Sequence, residues 1–108
     1  MERLVNGHLV APDEMIQDAV RKGWRIEGGA LTRELLFKDF DEAIGFAREL
    51  GNEAVDWLRR PDMLIKSAHL HVSVENRHHA GFTLAEIRLV NKATEVIDRN
   101  QAQGIGQG

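Results

Sequence analysis

The residues best equipped for chemistry lie in two short runs, Arg59-Arg60-Pro61-Asp62 and Arg77-His78-His79. A guanidinium keeps its proton to beyond about pH 12 and presents a planar fork of donors, so arginine can grip carboxylates or phosphates but cannot shuttle protons. Imidazole can, because its ordinary titration range straddles neutrality. Three readings of Arg59, Arg60 and Arg77 stay open on residue types alone. They are helix-end and strand-end charges paired with Asp56, Asp62 or Glu75, a site that reads acidic side chains of a protein partner, or a pocket for a small anion. His69 and His71 share one side of an alternating run, which raises a metal site. The chain has no cysteine, His78 and His79 point to different sides, and the nearby carboxylates form no ligand motif. Solvated histidines are therefore expected, with no metal.

These runs need elements to hold them. Pro12, with Asp13 and Glu14 behind it and Arg21-Lys22-Gly23 at the close, predicts a helix of about three turns with Met15, Ile16, Ala19 and Val20 on one face. Gly28-Gly29 between two β-compatible runs predicts a hairpin, with Trp24 and Ile26 before the turn and Leu31, Arg33, Leu35 and Phe37 after it. Asp39 and Glu42 have capping-box spacing, and Phe40, Ala43, Ala47, Leu50, Ala54 and Trp57 or Leu58 continue at helical spacing. Pro61 disfavours helical geometry at Arg60 and ends that helix, which puts the arginine pair on its last turn. The run from Met63 to Asn76 reads as one long strand or two, with Leu64, Ala68, Leu70, Val72 and Val74 on one side and Ser67, His69, His71, Ser73 and Glu75 on the other. Thr83 and Glu86 repeat the capping box before a last helix striped by Leu84, Ile87, Val90, Ala93, Val96 and Ile97. Phe37, Phe40, Phe46, Trp24 and Trp57 fall at core spacing.

The resulting order, α-β-β-α-β-β-α, predicts an α+β fold of two layers, a four-stranded antiparallel sheet with helices on one face. The chain divides into an N-terminal extension at 1–11, a domain at 12–99 and a Gln/Gly-rich tail at 100–108 that should be disordered. Its 108 residues suit one domain that profits from an oligomeric interface. With 14 Lys and Arg against 17 Asp and Glu, the net charge of -3 supplies no basic field for nucleic acid. No apolar run approaches the roughly 18 residues of a membrane span, and the opening MERLVNGHLV lacks the core of a signal peptide. A soluble cytoplasmic protein is expected.

Gly23-Trp24, then Arg33, Leu35, Phe37 and Phe40, then Ala43 and Phe46, resemble the pterin-4a-carbinolamine dehydratases, also known as dimerisation cofactors of a homeodomain transcription factor. The family's His-His-Pro-Glu, strand, Thr-His-Asp and Gly-Gly-Leu-Thr align without a gap with Arg59-Arg60-Pro61-Asp62, the strand, Asn76-Arg77-His78 and Ala80-Gly81-Phe82-Thr83. The resemblance covers about residues 13 to 98 and implies the two-layer fold and a homodimer that extends the sheet across subunits. In that register all three active-site histidines are arginine, at Arg59, Arg60 and Arg77. The acidic residue four positions before the pair is Val55, and the aspartate after the third histidine is His78. Dehydration of a 4a-hydroxy-pterin needs groups that take and give protons near neutral pH, which guanidinium does not do.

The chain therefore resembles the branch of pterin-dehydratase-like proteins that assist RuBisCO assembly in α-carboxysomes. That resemblance implies a chaperone-like, non-catalytic protein that binds RuBisCO subunits without a cofactor, in the cytoplasm and in association with carboxysomes. The degenerate site of Arg59, Arg60, Asp62, Arg77 and His78 is a candidate partner surface, and the open face of the sheet is another. The alternatives are an active or residual dehydratase in pterin recycling and a transcriptional coactivator.

Overall fold

The computed structural model describes residues 4–5, 8–53, 61–76 and 81–102. Arg59, Arg60, Arg77 and His78 lie outside them, as do Val55, Trp57, Leu58 and His79. The chain opens with strands β1 (Leu4–Val5) and β2 (His8–Leu9), which pair antiparallel. Beyond β2, Val10 bridges to Thr83 and the Ala11 N–H donates to the Phe82 carbonyl at 2.7 Å. Val10 and Ala11 are buried.

Helix α1 (Asp13–Arg21) follows Pro12 at its N-cap and keeps two acids in its first turn and Arg21 in its last, the charge order that the helix dipole favours. Of its four apolar side chains only Ala19 is buried and Ile16 is half-buried, while Met15 and Val20 are exposed. Strands β3 (Arg25–Glu27) and β4 (Ala30–Leu36) form the predicted hairpin, with Gly28 at φ 54° and Gly29 at φ 79° in the turn. Those left-handed angles suit glycine, which has no Cβ to clash.

Gly23 and Arg33 explain each other. Gly23 sits at φ 109°, and a Cβ there would meet the Arg33 Cζ at 3.0 Å. The Arg33 guanidinium lies under this turn, nearly buried, and its Nη1 donates to the Lys22 carbonyl at 2.7 Å. Burial pulls its pKa below the ordinary arginine value, and the Asp98 charge opposes that shift. The next residue, Trp24, is buried and its indole N–H donates to the Thr94 hydroxyl at 2.8 Å, which donates in turn to the Val90 carbonyl. The Gly-Trp and Arg motif thus packs the hairpin onto a helix.

Helix α2 is described over Phe40–Glu53. Asp39 caps it by accepting from the Glu42 N–H at 2.9 Å, while Glu42 accepts from the Lys38 N–H rather than from the cap residue's own. Ala43, Phe46 and Leu50 are buried, and the Phe46 ring lies 5.2 Å from that of Phe37. Phe40 corrects the sequence reading. It is 50% exposed at the first position of α2, whose buried residues begin at Ala43.

The run after Pro61 is two strands, β5 (Asp62–Lys66) and β6 (His69–Glu75), joined by Ser67-Ala68. The two-residue turn reverses the direction of the chain, and the register sets Met63 against Val72 and Ile65 against Leu70. Met63 and Ile65 therefore pack on the core, while Leu64, expected among the inward residues, is outward opposite His71. The sheet order is β3-β4-β6-β5, antiparallel throughout. Helix α3 (Leu84–Ala102) starts from a reciprocal capping box: the Thr83 N–H donates to Glu86 Oε1 at 2.8 Å and the Glu86 N–H to Thr83 Oγ1 at 3.3 Å. It runs past Asn100, which is buried and donates to Glu49 and to the Val96 carbonyl.

The fold is α+β, with three helices against a four-stranded antiparallel sheet. One core fills the space between, with Leu31, Leu35, Leu70, Val72 and Val74 from the sheet meeting Ala43, Phe46 and Leu50 of α2 and Val90, Ala93, Val96 and Ile97 of α3.

Candidate functional site

Of the five sequence-predicted site residues, Asp62 is the one within the described chain. It is the exposed first residue of β5 and stands opposite Ser73. Pro61 before it is buried. The register puts the start of β5 and the end of β6 at the same end of the sheet, beside the Gly28-Gly29 turn. There the Asn76 N–H donates to the Gly29 carbonyl at 2.9 Å. Gly81 is at φ 132°, where L side chains are strained, and a Cβ there would come within 3.3 Å of Val10 Cγ1. The residues on either side of the arginine-bearing stretches are thus fixed by packing and hydrogen bonds: Pro61 and Asn76 at one sheet end, Gly81 and Thr83 at the cap of α3.

A second group lies near the other end of the sheet's open face. Strand pairing sets Glu34 opposite His71, Leu36 opposite His69, Leu64 opposite His71 and Lys66 opposite His69. His69 Nε2 lies 3.1 Å from Glu34 Oε2, and His71 Nδ1 lies 3.1 Å from Glu34 Oε1. One carboxylate is held by two imidazoles, each on a different oxygen. The hydrogen bond from His71 is the largest cause holding the Glu34 carboxyl below its ordinary range; burial opposes it, and the charges of both histidines add to the lowering. Lys66 and Leu64 complete a shallow depression of about 280 Å³ around this group.

The sequence placed His69 and His71 side by side but missed Glu34, which belongs to a strand 37 residues away from His71. The available signal was alternation: Leu31, Arg33 and Leu35 inward forces Glu34 outward, onto whatever face its neighbouring strand presents. No three His, Asp or Glu side chains among the described residues are arranged to hold a metal ion. The histidine-carboxylate cluster is a polar group on the sheet surface. No described helix is long and apolar enough to cross a membrane.

Residues 10–96 match the family model described as pterin 4 alpha carbinolamine dehydratase. The chain belongs to that family. It is 31% identical over 74 residues to a protein of Thermomicrobium roseum provisionally named pterin-4-alpha-carbinolamine dehydratase, an alignment that covers 68% of this chain and 80% of the relative. It is 25% identical over 83 residues to a protein of the same provisional name in Halobacterium salinarum, with 77% and 91% covered. Among solved structures, a transcriptional coactivator/pterin dehydratase from Brucella melitensis superposes with a TM-score of 0.66 at 24% identity, over 81% of this chain and 97% of that one. At that identity the likeness establishes the shared fold. Within the family frame, the Gly23-Trp24 and Arg33 motif and the Thr83 cap are fold determinants here, since each is engaged in packing or in backbone hydrogen bonds.

Proposed function

We propose that this family member is a non-catalytic RuBisCO assembly factor of the α-carboxysome, a homodimer that promotes assembly by binding RuBisCO subunits and uses no cofactor. The observation that carries the reading is the identity of Arg59, Arg60 and Arg77 at the places where the family register has histidine. Three guanidinium groups supply no general base near neutral pH, while they suit bidentate contact with carboxylates on a protein surface. Asp62, two residues after Arg60 in the sequence, is exposed at the start of β5. Relatives that bear dehydratase names support the competing reading, pterin-4a-carbinolamine dehydration.

One experiment separates the two. RuBisCO large and small subunits are co-expressed with and without this protein, and holoenzyme is measured on native gels and by carboxylase activity. More holoenzyme with the protein, reduced by Arg59→Ala/Arg60→Ala, supports both function and site. No change in holoenzyme, together with a carbinolamine dehydration rate above background from the purified protein, would replace assembly with pterin recycling.

A further inference from the structure

We draw no further inference here: the strongest candidate, the cluster of Glu34, His69 and His71 on the open face of the sheet, carries nothing, because each carboxylate oxygen already has an imidazole partner and nothing in the structure shows what covers the exposed Leu36 and Leu64 beside it.

Discussion

Arg33 and Glu34 are neighbours in β4 that face opposite sides of the sheet, and they hold their charges in opposite ways. Arg33 points inward, nearly buried under the Gly23 turn, with a backbone carbonyl as acceptor and its pKa lowered by burial. Glu34 points outward, shared between two imidazoles and held below the ordinary carboxylate range chiefly by the His71 hydrogen bond. The inner charge is fixed by packing and has one geometry. The outer one is fixed by two imidazoles of β6 at the sheet surface, one on each carboxylate oxygen. The inner face of this sheet packs into the core, and Glu34 lies exposed on the outer face.

The comparison breaks most visibly with two leucines. Leu70 is fully buried on β6 and Leu64 more than half exposed on the neighbouring strand. Leu70→Ala should cost about 2–5 kcal/mol in urea unfolding, while Leu64→Ala should stay within about 0.5 kcal/mol. Equal losses would mean that the open face is covered. Gly23→Ala comes next, about 1–3 kcal/mol from its left-handed backbone, with the approach to the Arg33 guanidinium adding to it. Arg33→Ala in that background should restore the steric part alone.

Ser67, at φ 56° in the β5–β6 turn, offers a gain: Ser67→Gly should be neutral to stabilising, by up to about 1 kcal/mol. The smallest effect belongs to Glu34→Gln, read as pH dependence. A carboxyl held below its ordinary 4.5 in the folded chain contributes stability that is present above that value and is lost as pH falls through the lower folded value. Wild type and Glu34→Gln should differ above about pH 5 and converge in strong acid. A difference that persists at the acid end would mean that Glu34 acts through packing.

Much of the fold was legible because its signals are local. Gly28-Gly29 marked the β3–β4 hairpin, and the Asp39 and Thr83 caps set two helix starts within a few residues of themselves. What the sequence concealed was non-local or depended on one residue of phase. The Ser67-Ala68 turn moved Leu64 to the outer face, since a side-chain period of two converts a turn-length error into a face error. Phe40 has the right spacing for the core but sits before the turns of α2 that are covered. Glu34 could not be joined to His69 and His71 without the β4–β6 pairing. Of the candidate site, residue identities were legible and Asp62 is placed at a sheet end, while Arg59, Arg60, Arg77 and His78 lie outside the described residues.

The tie between α2 and α3 has a mechanical side. Arg99 and Asn100 engage Glu49, and Lys92 engages Glu53 at 3.3 Å, so the last described turn of α2 is moored to α3. The chain continues from that mooring toward Arg59 and Arg60. Two ion pairs and a hydrogen bond then act as guy lines: a load on the described end of α2 is shared with α3 before it reaches the start of α2.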